Sequence, residues 1–203
     1  YTPIDDLGLE EGIRKLMETA GQRRTAFAAS LVPLLVDDDP LVRAEASRAL
    51  RELREPSAVP ALERLLGHPT STIRAMAVTA LGECGTPEVV PRIAPLIEDP
   101  ESIVRWATLI ALRQLGGRST TSVIAKALRD PEAKLRSHAA ECLGGLGEKQ
   151  VIPALVAILE DPDDDVRSSA VWALKRLGDA SAAPAVALRL TDTNSRVRNY
   201  ALQ

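Results

Sequence analysis

The chain has 203 residues, of which 45% are hydrophobic, only 2% aromatic and 26% charged, with a net charge of -3. That composition is neither disordered nor membranous, and the negative balance offers no bulk attraction to nucleic acid or anionic lipid. Two cysteines, Cys84 and Cys142, fit no disulfide framework or metal-site spacing, and no apolar run approaches the roughly 18 residues needed to span a bilayer.

Residues 1–21 read as a polar lead-in and an N-terminal capping helix. Leu9, Ile13, Leu16, Met17 and Ala20 recur at helical spacing, and Gly21 is expected to end that helix. From residue 22 the chain repeats itself. Arg43, Arg74, Arg105, Arg136, Arg167 and Arg198 follow one another at intervals of 31 residues. A fixed period in this range predicts a solenoid, whose units share one continuous core. A single α-solenoid domain is therefore expected, with repeats at 22–54, 55–85, 86–116, 117–147 and 148–178 and an incomplete repeat at 179–203. The chain starts at Tyr1 rather than Met and stops inside a repeat, so it reads as a piece of a longer protein.

Each unit reads as two helices, A and B. Helix A is seen in Ala58–Leu66, Val89–Ile97, Val151–Leu159 and Ala182–Leu190, with Pro60, Pro91, Pro153 and Pro184 in one register and Ser122 replacing proline in the fourth unit. A proline past the first turn removes a backbone bond, so a bent A helix is predicted. Helix A ends at an acidic turn, Asp37, Asp99, Asp130, Asp161 or Asp192, with His68 as the exception. Helix B follows, with expected N-caps at Asp39, Thr70, Glu101, Glu132, Asp163 and Thr193, glutamate being the poorest of these cap types. Its inward residues are Val42, Ala46, Ala49, Leu50 and Leu53 in the first unit and Val166, Ala170, Ala173, Leu174 and Leu177 in the fifth. Gly85, Gly116, Gly147 and Gly178 are expected to stop it in left-handed conformations, whereas Arg54 in the first unit predicts a different exit. The cysteines fall at core positions and read as small apolar residues.

The pattern of a proline-bearing A helix, D-P, V-R, A-x-x-A-L and L-G over residues 22–203 resembles the HEAT repeat, and most of all the short 31-residue type named for phycobilin-lyase HEAT-like proteins. The resemblance implies an all-α, right-handed α-solenoid of about five and a half stacked antiparallel helix pairs. It implies A helices on the convex side and B helices on the concave side, and the armadillo-like class of scaffolds and binding modules.

The arginine series could be a phosphate-binding ladder. The residues favour a structural role, because each arginine lies close to an acidic turn, Asp99, Asp130, Asp161 and Asp192 among them, and can tie repeats together by charge-assisted bonds. The residues that vary between units at outward positions of helix B are the candidates for binding. Steps of i, i+3, i+4 and i+7 place Leu41, Ala44, Glu45 and Arg48 on this face in the first unit. The second unit places Thr72, Ala75, Met76 and Thr79 there, and the third Ile103, Trp106, Ala107 and Ile110. Lys134, Ser137, His138 and Glu141 follow in the fourth, Asp165, Ser168, Ser169 and Trp172 in the fifth, and Asn199, Tyr200 and Gln203 in the last. Met76, Ile103, Trp106, Ile110 and Trp172 form an expected apolar patch, with His138 and Glu141 as its polar neighbours. Such a patch on a solenoid face predicts a partner.

Catalytic, cofactor-binding and metal-binding residues are not expected. His138 and Glu141 share a helical face at a spacing that could serve a metal or acid–base pair, but the set has no third ligand. The run Asp161, Asp163, Asp164 and Asp165 lacks the glycine and closing glutamate of a calcium loop and sits where a helix N-terminus attracts acids anyway. The His–Glu pairs of di-iron hydroxylases built on HEAT repeats are absent from the sequence.

The expected function is a non-enzymatic protein-interaction scaffold of a bacterial cytoplasmic protein. It would present its concave B-helix surface to a protein or peptide, without nucleic acid or membrane insertion and with self-association possible through its C-terminal end. A chromophore lyase-like enzyme subunit, implied by the resemblance alone, and a nucleic-acid-binding helical repeat are the alternatives.

Overall fold

A computed structural model describes residues 6–84 and 87–202, and every regular element among them is helical. Long helices α1 (Asp6–Leu31), α2 (Pro40–Leu53), α4 (Ser71–Cys84), α6 (Ser102–Leu115), α8 (Ala133–Leu146) and α10 (Asp164–Leu177) alternate with short ones. The short ones are α3 (Val59–Arg64), α5 (Val90–Ile93), α7 (Arg118–Ile124), α9 (Ile152–Ala157) and α11 (Ala183–Ala187), and α12 (Ser195–Leu202) comes last. The chain forms two compact units, Tyr1–Gly85 and Thr86–Gln203. Within each, helix pairs stack as an α-solenoid, A helix then B helix.

The B helices form where predicted. Five of them, α2, α4, α6, α8 and α10, have the same length of 14 residues. Asp39 caps α2 through the Leu41 N–H, and Asp163 caps α10 through the N–H groups of Asp165 and Val166. Glu101 and Glu132 occupy the same position without a side-chain cap bond, in keeping with their longer reach. The cap of α12 is Asn194 rather than Thr193. Its Oδ1 accepts from Arg196 N–H at 2.8 Å, which keeps the 31-residue register with Asp163.

The proline prediction needs correction. Pro60, Pro91, Pro153 and Pro184 do not bend a continuous helix. Each sits in the first two positions of a short α-helix that follows a 3-10 turn: Pro56–Ala58, Pro87–Val89, Lys149–Val151 and Ala180–Ala182. There its missing N–H breaks no helical bond. The two units without proline in this register, with Ala29 and Ser122, carry no such leading turn. The α7 helix starts directly at Arg118, and α1 runs unbroken for 26 residues. Gly21 therefore does not end the first helix. With no left-handed break and no following proline, α1 continues into the A helix of the first repeat.

Arg54 also departs from expectation. It ends α2 in the left-handed conformation itself, at φ 48° and ψ 45°, where Gly147 and Gly178 end α8 and α10. For a residue with a Cβ that conformation costs about 1–2 kcal/mol. Gly116 has a positive φ of 68° but an extended ψ of -178°, and Gly85 lies outside the described residues.

The core consists of leucine, isoleucine, valine and alanine. Leu35, Leu50, Leu62 and Leu81 are fully buried in the first unit, and Ile93, Leu109, Leu112, Ile124, Leu135, Leu143, Leu155 and Leu159 in the second. All five inward residues of α10 are buried, but Val42, Ala49 and Leu53 of α2 are only half-buried. Cys84 and Cys142 are buried free thiols, and burial pushes the Cys142 thiol up to about 11. The side chains of Leu9, Ile13, Leu16 and Met17 lie outside the described set. No helix among the described residues is long and apolar enough to cross a membrane.

Candidate functional site

The arginine series and the acidic turns form one repeated hydrogen-bond unit. In each turn a side chain accepts the N–H two residues on: Asp37 from Asp39, Asp99 from Glu101, Asp130 from Glu132, Asp161 from Asp163 and Asp192 from Asn194, all at 2.9–3.0 Å. His68, the exception in sequence, makes the same bond through Nδ1, accepting Thr70 N–H at 3.1 Å. Each arginine then donates Nη1 to two carbonyls of its own turn, as Arg105 does to Asp99 at 3.0 Å and Pro100 at 3.1 Å.

In the second unit the guanidinium also reaches the next turn. Arg105 Nε and Nη2 hold the two oxygens of Asp130 at 2.7 and 3.1 Å. Arg136 holds Asp161 at 2.8 Å twice, and Arg167 holds Asp192 at 2.9 Å twice. These bidentate bonds raise the arginines above their ordinary value and hold the Asp192 carboxyl below its own. Burial pushes Asp161 up, yet the bond from Arg136 and the Asp163 N–H bring it net below the ordinary range.

Arg43 has only the carbonyl half of this unit. It donates to Asp37 and Asp38, but His68 stands in the register position of the next carboxylate and Arg43 Nε is left buried without a partner. His68→Asp is expected to complete the fork and stabilise the chain by about 1–3 kcal/mol, read as a higher thermal midpoint. An unchanged or lower midpoint would refute this account of the orphaned Nε.

The ladder holds B helices side by side, and their other face carries the residues that differ. Met76 is half-buried on α4 in the first unit, and Arg48 there is paired with Glu45. In the second unit, Ile103 is 49% and Trp106 38% exposed on α6, while Ile110 is half-buried. The Trp106 ring stacks on His138 of α8, with centroids 4.9 Å apart and planes 20° from parallel. His138 Nδ1 lies 3.5 Å from Glu141. Glu141 accepts from Ser169 Oγ of α10 at 3.2 Å, and Ser169 and Ser137 hydroxyls meet at 2.9 Å. Three neighbouring B helices are thus laced together by one aromatic–imidazole stack and a short polar chain. Ala107, Ser168 and Ser169, expected to face outward, are buried beneath it.

Trp172 is half-buried. Its ring packs against α8 at Gly144, where a Cβ would lie 3.1 Å from Trp172 Cζ3, 2.7 Å from Ala173 Cα and 2.9 Å from Ala173 Cβ. The guanidinium of Arg176 sits 5.5 Å from its ring centroid. Beside it a cavity of about 370 Å³ is lined by Arg113, Glu141, Gly145, Ser168, Ser169, Trp172, Arg176, Arg196 and Tyr200. A second, of about 330 Å³, is lined by Trp106, Lys134, Ser137, His138, Glu141, Asp165, Ser169 and Arg196. They share Glu141, Ser169 and Arg196, so the two adjoin as one groove along the B-helix face. A larger hollow of about 920 Å³ borders the A helices and the acidic turns; Arg105, Asp99 and Asp130 of the ladder and the Lys126–Glu98 pair line it, and no aromatic residue does.

The outward steps i to i+7 miss Arg113, Gly145 and Arg176. They lie on the next helical turn of the same face, at i+10 or i+11, which continuing the same periodicity would have reached. The acidic run at the start of α10 brings Asp163, Asp164 and Asp165 oxygens within 4.8 Å of one another. Each is engaged: Asp163 caps the helix, Asp164 accepts from Asn194, and Asp165 pairs with Arg196 at 2.5 Å.

No curated protein matches the sequence. Solved structures do. YibA of E. coli is 19% identical with a TM-score of 0.65, covering 91% of this chain and 72% of its own. The complex of CpcE and CpcF of phycocyanin lyase from Nostoc is 24% identical with a TM-score of 0.62, at 86% and 74% coverage. A designed armadillo repeat protein in complex with the peptide (KR)4 is 17% identical with a TM-score of 0.56, at 85% and 95% coverage. These likenesses establish a helical-repeat fold. The family described as HEAT repeats matches residues 13–74, 28–113, 62–131 and 120–203, and with the ladder and helix pairs in place the chain belongs to the HEAT-repeat family.

Proposed function

We propose that the chain is a protein-interaction scaffold whose B-helix groove in the second unit receives an extended peptide segment of a partner. The observation that carries this reading is the exposed Trp106 ring, preorganised by its stack on His138 and flanked by exposed Ile103 at the mouth of the groove. A tryptophan held in place loses little freedom on binding, and such residues dominate interface energetics. The fold suits the role, since the designed armadillo protein that this chain resembles holds a peptide. A non-enzymatic role agrees with the site, where His138 stacks on Trp106 of α6 and Glu141 accepts from Ser169 of α10, so both are engaged by neighbouring helices. Free buried thiols suit a reducing, cytoplasmic setting.

Selection of displayed random dodecapeptides against the full chain tests the reading. Peptides enriched on the native protein are expected to bind Trp106→Ala about 30-fold more weakly, the loss of an anchor worth about 2 kcal/mol, with helical circular dichroism unchanged. Trp106 is the cleaner probe. Trp172, packed on Gly144, supports the fold as well as the groove. Equal enrichment on both proteins, or none on either, refutes the groove.

A further inference from the structure

The charge of the groove identifies the kind of peptide. Although the whole chain is negative, the cavity beside Trp172 is lined by three arginines, Arg113, Arg176 and Arg196, and by one acidic residue, Glu141. Arg196 is paired with Asp165, and Glu141 is held by Ser169 and His138. Among the described residues no carboxylate pairs with Arg113 or Arg176. Elsewhere in the same unit Arg105, Arg136 and Arg167 each hold a carboxylate by a two-pronged fork. Arg113 and Arg176 thus stand beside the Trp172 wall with no carboxylate holding either one.

We propose that this cavity is the seat for an acidic side chain of the partner peptide, an aspartate or glutamate held by Arg113 and Arg176 with its methylene against the Trp172 ring. The proposal rests on the peptide-groove reading above and adds to it the sign of the ligand. A guanidinium pair matches carboxylate geometry. Arg176, lying over the indole, is already oriented by its cation–π contact, so little side-chain freedom remains to be lost. The cavity, about 370 Å³, has room for one acidic side chain and its water. Local positive charge on a negative protein also sets specificity, since a basic peptide meets repulsion here and an acidic one is drawn in.

Two fluorescein-labelled octapeptides serve as probes, one alternating glutamate with valine and the other lysine with valine, titrated by fluorescence anisotropy against the full chain. The acidic probe is expected to bind at least tenfold more tightly than the basic one, with affinity falling as salt rises. Arg113→Gln with Arg176→Gln, both exposed positions, is expected to erase that preference while helical content stays unchanged. Arg113→Glu with Arg176→Glu is expected to reverse it. Equal or tighter binding of the basic probe to the native protein overturns the proposal, as does an acidic preference that survives both substitutions. Binding of neither probe overturns it too. If peptides selected in a Trp106-dependent way are indifferent to the arginine substitutions, the acidic seat falls and the groove stands. If Trp106→Ala is without effect as well, both fall.

Discussion

Asp130→Ala is expected to cost about 3 kcal/mol or more, the largest loss of any single ladder substitution. Arg105 is 8% and Asp130 7% exposed, and removing one partner leaves a guanidinium desolvated without its counter-charge. The same change removes the Asp130 oxygen that accepts Glu132 N–H at 2.9 Å and shapes the turn into α8. Two carbonyls and the more exposed Glu132 at 3.4 Å stay with Arg105, which keeps the loss near the lower end. Asp130→Asn, with an oxygen still available for the turn, is expected to cost less than the alanine. Glu148→Ala removes an exposed pair with Arg118 at 3.4 Å and is expected to cost under about 1 kcal/mol. Urea unfolding followed by circular dichroism gives the comparison. At about 1–3 kcal/mol per molar urea, Asp130→Ala should lower the midpoint by about 1–3 M. A midpoint as high as that of Glu148→Ala would remove the ladder from the account of what holds the repeats together.

Gly144→Ala is expected to destabilise by about 1–3 kcal/mol, and its neighbour Gly145→Ala to stabilise by about 0.5–1 kcal/mol. Both lie inside α8, where glycine is about 1 kcal/mol worse than alanine on propensity alone. Position 145 has nothing within 4 Å of an added Cβ and should realise that gain. At position 144 the Cβ would stand 2.7 Å from the Cα of Ala173. A backbone atom cannot swing aside, so α8 and α10 must separate, and the overpacking outweighs the propensity. The separation should also move Trp172, so its fluorescence is expected to change in Gly144→Ala and stay fixed in Gly145→Ala. Opposite signs in thermal midpoint are the required result; a stabilising Gly144→Ala would mean that the helices do not approach this closely.

Much of the fold was legible because it depends on periodicity. The 31-residue spacing of the arginines, the Val-x-x-x-Ala-x-x-Ala-Leu faces and the capping aspartates specify B helices whatever surrounds them. The prolines were misplaced because their effect depends on where the preceding turn changes from 3-10 to α. The turn accompanies the proline, since the units with Ala29 and Ser122 in that position lack it. His68 looked like a gap in the acidic series. Its Nδ1 makes the same backbone bond as an aspartate, which hydrogen-bond chemistry permits and residue class obscures. Arg54 was expected to exit differently yet takes the left-handed turn itself, at a local cost of about 1–2 kcal/mol, which residue type alone did not foretell.

For the site, exposure of Ile103 and Trp106 followed from counting helix faces. The Trp106–His138 stack, the Ser137–Ser169–Glu141 chain and the convergence of Arg113, Arg176 and Arg196 did not. Each joins residues from different repeats, and their meeting depends on how closely successive B helices approach. At one junction that approach is controlled by a missing Cβ at Gly144. The sequence by itself determined the repeat, the ladder and which helix face varies, since these obey helix periodicity and local hydrogen bonding. The tertiary structure decided which arginines find a carboxylate and which are left facing a groove, because pairing is set by distances between helices that no single repeat encodes.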